Sequence, residues 1–335
     1  MPTVHFIYPR DETRHASPWC IGNEIGSRLE REFQVRSHGW REQLTIQPEP
    51  GDVLIGHPHW SSRTVYQRSV RRPGWARRII LAPYVGDLRQ TAFHDQVIDA
   101  SDLFLAITGR YWFDRIDATP MRRWLPKMRH VDLAVNRAHF PSLDRSFHPP
   151  GQRRFAYIGH TARNKNTPYL SQIARAAPEL PLSWIGRGRK RIPGLVPLGF
   201  QNFATPAGRA VLAGFDFMLT VGNHDANPTT ILEALSWGLI PVCTAQSGYH
   251  QTPGIVNVPL GDAAEAARVL RTLQHCPPAE LERLRADGEH SLRSHFHWDR
   301  AYAQVREAII GQESPPLRAR RPAEALRMLA YKLFH

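Results

Sequence analysis

The stretch Phe215 to Val242, FDFMLTVGNHDANPTTILEALSWGLIPV, limits the possible folds more than any other part of the chain. It opens with a short run of bulky apolar residues, Phe215 to Val221, which reads as a parallel strand buried on both faces. A polar loop, Gly222 to Ala226, comes next. A helix is then expected, with Asn227 as its N-cap and Pro228 at its first position, where the missing N–H costs nothing. It should run through Ile231, Leu232, Ala234 and Leu235 to Trp237 and stop at Gly238, the residue type favoured for a left-handed C-cap. Leu239 to Val242 gives a second buried strand directly afterwards. A unit of this kind is half of a doubly wound α/β domain, whose ligands bind beyond the carboxyl ends of the strands.

The chemistry available at that end is specific. The backbone N–H groups around Thr229 and Thr230 precede any intrahelical acceptor, and the helix dipole adds partial positive charge there. Together they suit a diphosphate. Glu233 lies further along the helix, within reach of a ribose diol beside those phosphates, and Asp225 in the loop is placed to accept hydrogen bonds from a second polyol. Two carboxylates around a phosphate-binding helix start point to a nucleotide carrying a sugar. The plainer alternative is a loop-ending aspartate and a solvated helix glutamate. Agreement among Pro228, the two threonines, the flanking strands and Gly238 favours the site.

These residues resemble the signature of the retaining GT-B glycosyltransferases, the "glycosyl transferases group 1" family. That signature is an acidic residue, seven intervening residues and a glutamate, with a proline inside and a GxPV strand behind. Here it is Asp225 through Glu233, Pro228 and Gly238-Leu239-Ile240-Pro241-Val242, with aspartate where glutamate is commoner. The resemblance implies an α/β GT-B fold: two Rossmann-like α/β/α domains facing each other across a cleft. It also implies transfer of a hexose with retention of configuration, without a metal ion or other cofactor, the nucleotide diphosphate sugar being a co-substrate. No Asp-x-Asp metal motif occurs, and no metal site is expected.

Other stretches are similar to the same family in part. Gly159-His160-Thr161-Ala162-Arg163-Asn164-Lys165 follows a short apolar run, and Lys165 falls where the family carries a lysine on the donor diphosphate. The family's arginine position holds His160, so Arg163 is placed to supply the second cation. Leu195 to Phe200 resembles the stretch that brackets the nucleotide base, with Gly199 offering backbone bonds and Phe200 a stacking face or a plain core residue. Asp52 to Trp60 resembles a strand whose histidine lies near the reacting end of the sugar, which selects His57, with His59 beside it; the alternative is a loop histidine with only local bonds. The loop His15–Trp19 and a helix from about Asn23 to Phe33 correspond to the family's first loop, where only Gly22 replaces the usual paired glycines.

Taken together, the chain is expected to hold an acceptor-side domain over 1–148 and a nucleotide-sugar domain over 149–300. A C-terminal helix bracing the first domain and a basic tail should occupy 301–335. The linker and its hinge are expected between Pro141 and Arg154. Helices are expected at Ala263–Gln274 and Ala279–Gly288.

Three separated cysteines, Cys20, Cys243 and Cys276, read as reduced thiols of a cytoplasmic protein, and no apolar run approaches transmembrane length. The net charge of +13, concentrated between residues 63 and 78 and again between 110 and 129, suits an anionic membrane surface carrying a glycan or lipid-linked acceptor. No nucleic-acid motif accompanies it, and none is expected as partner. The tail from Ser314 to His335 reads as a basic amphipathic helix, lying on lipid or packed on the protein. Two other functions use the same features: a GT-B epimerase or phosphorylase, and a basic non-enzymatic adaptor.

Overall fold

The computed structural model describes residues 2–14, 16–59, 64–85, 95–188 and 191–311. The expected tail helix and His15 of the expected first loop lie outside the described residues. The chain divides into two compact units. Unit 1 takes the chain up to Thr108, Trp112–Asp132 and the chain from Trp298 onward; unit 2 takes Gly109–Tyr111 and Leu133–His297.

Unit 1 is built on a six-stranded parallel sheet of β1 (Thr3–Ile7), β2 (Gln34–His38), β3 (Val53–Gly56), β4 (Arg77–Pro83), β5 (Leu103–Ile107) and β6 (Met128–Val131), in the order β2-β1-β3-β4-β5-β6. Ile7, Leu54, Ile80, Phe104 and Met128 place one side chain from each of five strands into a common core with Tyr66, Trp75 and Trp124. Helix α1 (Ser17–Glu32) buries Ile21, Gly22, Ile25, Gly26 and Leu29, a stripe at helical spacing. It starts earlier than the sequence suggested, because Pro18 is pre-set for a first helical turn and draws Ser17 to Trp19 out of the expected loop. Gly22 sits inside α1, where a Cβ would overlap the Pro9 carbonyl oxygen, so its absent side chain serves close packing and not a phosphate loop.

Short helices α2 (Val65–Ser69), α3 (Asp95–Ala100) and α4 (Arg110–Phe113) lie between the strands of unit 1, α4 starting within the Gly109–Tyr111 segment that belongs to unit 2. Part of the basic run is interior. Lys127 is buried and donates to the carbonyls of Ile98 and Ser101 at the end of α3, and desolvation pulls its pKa down to about 8.

Unit 2 carries a second parallel sheet: β7 (Phe155–Ile158), β8 (Leu182–Ile185), β9 (Val196–Gly199), β10 (Phe217–Thr220), β11 (Ile240–Thr244) and β12 (Val256–Val258). Their order is β12-β11-β10-β7-β8-β9. Counted from β7, this is the Rossmann order 3-2-1-4-5-6 read from the other edge. Alternation along the strands serves two cores. Phe217 and Leu219 of β10 pack with α5 (Thr167–Ala176), whereas Met218 faces the opposite side. After α6 (Pro206–Ala213), helix α7 (Thr229–Trp237) covers that second side through Ile231, Leu232 and Leu235.

Gly238 ends α7 with φ +82°, as its place in the sequence suggested. The start differs by one residue. Pro228, extended at φ −64° and ψ 121°, is the N-cap, and Thr229 is the first helical residue. Asn227 does not cap, because its Oδ1 accepts the Leu133 N–H at 2.7 Å. Helix α8 (Ala263–His275) is followed by α9 (Pro278–Ser294), which continues past Gly288. That glycine does not stop the helix; a Cβ on it would crowd Leu235, so it permits α9 to lie against α7.

Residues 141–154, expected as the linker, are pinned within unit 2. Asp216, whose side chain is 0% exposed, pairs with Arg145 at 3.3 Å and His148 Nδ1 at 2.8 Å, and also accepts the His148 and Arg154 N–H groups. The last described helix, α10 (Trp298–Ile310), belongs to unit 1. It meets α1 through Arg28–Asp299 at 3.0 Å, Tyr302 donating to Glu32 at 2.9 Å, and Arg306–Glu32 at 2.5 Å.

Replacing Asp216 with alanine would leave Arg145 buried without its charge partner. The expected loss is about 3–5 kcal/mol of stability in unit 2, read by urea unfolding.

Candidate functional site

In unit 2 the order of strands reverses between β7 and β10, the strands whose carboxyl ends open the crevice used by ligands in doubly wound sheets. The loop after β7 carries Lys165 and the loop after β10 carries Asp225. Their side chains form an ion pair across that reversal, each only about one-sixth exposed (16% and 17%). A backbone bond ties the two loops together, Asn223 N–H donating to Asn164 O at 3.1 Å, and Asp225 N–H donates to Gln246 O, beyond β11, at 3.2 Å. A third loop, after β11, supports them. The Thr244 hydroxyl donates to Gly222 O at 2.6 Å and lies 3.1 Å from the Ser247 hydroxyl. Lys165 itself ends a short 3-10 turn, Arg163–Lys165, and the left-handed Asn166 (φ 51°) redirects the chain into α5.

Helix α7 brings the remaining groups. Thr229 and Thr230, both half-buried, form its first turn, and their N–H groups precede the intrahelical bonding pattern. Glu233 lies one turn on. Burial of its carboxyl raises its pKa to about 7, against the Thr229 hydroxyl bond and the Lys165 charge, which both act to lower it. Asn227 is 4% exposed, and its Nδ2 has no partner among the described residues, so one buried donor stays unsatisfied beside the helix start.

The structure thus gathers Lys165, Asp225, Asn227, Thr229, Thr230 and Glu233 at one end of one sheet. Arg163 is exposed on the same turn as Lys165. Gly199 and Phe200 stand at the end of β9, two strands from β7, a separation of roughly 10 Å at ordinary strand spacing. Gly199 has φ +70°, and its carbonyl accepts the Gly186 N–H at 2.9 Å. Phe200 is not a core residue: it is 57% exposed, with the Arg187 guanidinium 4.0 Å above its ring.

His57 belongs to unit 1, at the carboxyl end of β3. Its Nδ1 accepts the His59 N–H at 2.8 Å, which fixes Nε2 as the protonated nitrogen, and its ring meets Tyr8 and Trp40 edge-on. Among the described residues no three His, Cys, Asp or Glu side chains gather as a metal-binding group.

Some contributors escaped the sequence reading. Thr244, Gln246 and Ser247 hold the acid's loop; their signal was the polar cluster Thr244-Ala245-Gln246-Ser247-Gly248 directly after a buried strand. Arg187 over Phe200 had no sequence signal, since nothing local ties residue 187 to residue 200.

No protein-family model matches the sequence, and no curated protein matches it. Solved structures do match. Sucrose-phosphate synthase from Thermosynechococcus elongatus aligns with TM-score 0.65 over 92% of this chain and 98% of that one, at 11% identity. A glycosyltransferase from Rickettsia africae gives 0.63 over 93% and 99%, at 8% identity. HepE from Anabaena, solved with UDP and glucose, gives 0.59 over 92% and 99%, at 11% identity. The likeness is one of architecture: two parallel six-stranded sheets with flanking helices, the two-domain GT-B fold.

The raised pKa of Glu233 has a signed consequence. A carboxyl that prefers its neutral form in the folded state contributes stability below about pH 4.5 that is lost as pH rises through about 7. Glu233→Gln should therefore remove part of the fall in melting temperature across that window, read as the difference between the two pH profiles.

Proposed function

We propose that this protein is a glycosyltransferase that moves a hexose from a nucleoside diphosphate sugar to a hydroxyl of a glycan or lipid-linked acceptor. Configuration is retained, and no metal ion takes part. The observation that carries this reading is the Lys165–Asp225 pair at the strand reversal of a Rossmann-ordered sheet, beside the start of α7.

Each group has a task. The Thr229 and Thr230 amides and the unsatisfied Asn227 amide donate to diphosphate oxygens, with Lys165 and Arg163 as the cations. Glu233 takes the ribose diol, Asp225 the hydroxyls of the transferred sugar, and Gly199 and Phe200 the base. As the bond from the anomeric carbon to the diphosphate oxygen breaks, its electron pair passes to the diphosphate. The acceptor oxygen bonds to the anomeric carbon, and its proton goes to the departing diphosphate. Lys165 stabilises the charge that grows on the leaving group more than it stabilises the bound donor, which is the condition for speeding the chemical step. For His57, in unit 1, the family resemblance implies a hydrogen bond to a sugar hydroxyl, with Nε2–H as its donor. Solved neighbours bound to UDP and glucose, and to UDP-glucose, support the donor class.

No helix of the described residues is long and apolar enough to cross a membrane. A lipid-linked acceptor would be met at an anionic surface, which the +13 charge suits.

Lys165→Ala should lower kcat by about a hundredfold to a thousandfold, the loss typical of removing one donor to a developing charge. Transfer from a labelled nucleotide sugar measures it, with NMR of the product reporting the anomeric configuration. Chelators should leave the wild-type rate unchanged. Wild-type turnover by the alanine variant would remove Lys165 from the role given to it.

A further inference from the structure

Beside the loops of unit 2 lies a segment to which the transfer chemistry gives no task. Gly109, Arg110 and Tyr111 count with unit 2, although the chain before and after them belongs to unit 1. Gly109 is buried, Tyr111 half-buried and Arg110 exposed. The Gly109 N–H donates to Ala226 O at 2.7 Å. Its missing side chain permits that approach, since a Cβ there would overlap the Gly248 carbonyl. Gly248 is itself left-handed at φ +94°, and a Cβ on it would crowd Ala226 O. Three parts of the chain thus touch where side chains do not fit.

Tyr111, in the first turn of α4, adds a side-chain tie. Its hydroxyl accepts the Gln246 Nε2–H at 3.0 Å, and its ring stands edge-on to His250, the centres 6.1 Å apart at 84°. Gln246 is the residue whose carbonyl takes the Asp225 N–H at 3.2 Å. Asp225 is therefore held on both sides. Its own N–H is fixed by Gln246, and the next carbonyl, Ala226 O, is fixed by Gly109. Neither partner lies in the loop Gly222 to Ala226, which has no helix or strand bonding of its own.

A carboxylate that is to meet particular sugar hydroxyls must be placed to within about 0.5 Å, and the contacts behind it supply that precision. We propose that Tyr111 is a positioning residue for Asp225. Its hydroxyl holds Gln246, and the Gln246 carbonyl in turn keeps Asp225 in the orientation that meets the transferred sugar. The sugar in that statement rests on the transferase reading, whereas the coupling of Tyr111 to the Asp225 loop does not.

Tyr111→Phe removes the hydroxyl and keeps the ring against His250. In the full-length chain, hydrogen–deuterium exchange at the Asp225 amide should speed up about fivefold, as for the loss of one neutral hydrogen bond, with β7 and β10 unchanged. Gln246→Ala should do the same, and the double variant no more than either alone. With the nucleotide sugar that wild type uses, Tyr111→Phe should lower kcat/KM about fivefold. Affinity for the free nucleoside diphosphate and the melting temperature should stay at wild-type values, both of which a general folding defect would move. Exchange that is unchanged at Asp225, or raised equally across β7 and β10, overturns the proposal. Additive effects of the two substitutions, or faster exchange with wild-type kcat/KM, overturn it as well. A wild-type chain that transfers sugar from no UDP, GDP, ADP or TDP donor sinks the transferase reading instead, and the exchange rates then decide alone whether Tyr111 holds the Asp225 loop.

Discussion

The ion pair between Lys165 and Asp225 is the contact on which the arrangement of unit 2's ligand-facing end depends. The two residues come from loops that leave adjacent strands and serve helices far apart in sequence, so no local preference brings them together. A lysine side chain free in water gives up much rotational freedom when it is fixed. Here most of that loss is taken during folding, because the carboxylate and the surrounding loop bonds already hold the ammonium in place. The carboxylate also tempers the positive charge. The pair therefore suits a ligand that brings both an anion and hydroxyl groups better than one that brings an anion alone.

Helix α7 complements the pair by doing two jobs with one turn. Its first turn lies at the ligand-facing end of the sheet, and one turn on from Thr229, Glu233 stands in surroundings that make its charge costly. Desolvation shifts this carboxyl towards its neutral form. It can then donate as well as accept, which fits a diol, whose two hydroxyls themselves do both. Apolar packing of Ile231, Leu232 and Leu235 on the sheet fixes the helix along its length, so the polar turn is carried on a rigid element.

Much of this was legible in the residues alone, for identifiable reasons. Strand β10, helix α7, its glycine stop and strand β11 each obey local rules of period, capping and length, and those rules act within the segment itself. The Asp225–Glu233 spacing and the lysine after a glycine-ended strand were readable in the same way. What failed was set by partners distant in sequence. Asn227 has the right side chain for a cap, yet the Leu133 amide claims its oxygen. Residues 141–154 have the composition of a linker, but Asp216 draws them into unit 2. Gly288 looks like a helix end, whereas it is the point where two helices touch. The meeting of His57 with Tyr8 and Trp40 draws on three separate segments, which no periodicity joins.

The two sheets share a strand count but not an order, and this bears on how the halves of the chain correspond. In unit 1 the reversal falls between the first and third strands; in unit 2 it falls between the first and fourth. The fourth strand of unit 1, β4, pairs with β3 and β5 and does not touch β1. Point substitutions cannot carry one order into the other, since a strand would have to leave one edge and reinsert elsewhere. The chain is consequently no simple tandem duplication. A loop graft made by matching strands in numerical order would set the residues equivalent to Asp225 one position away from unit 1's own crevice.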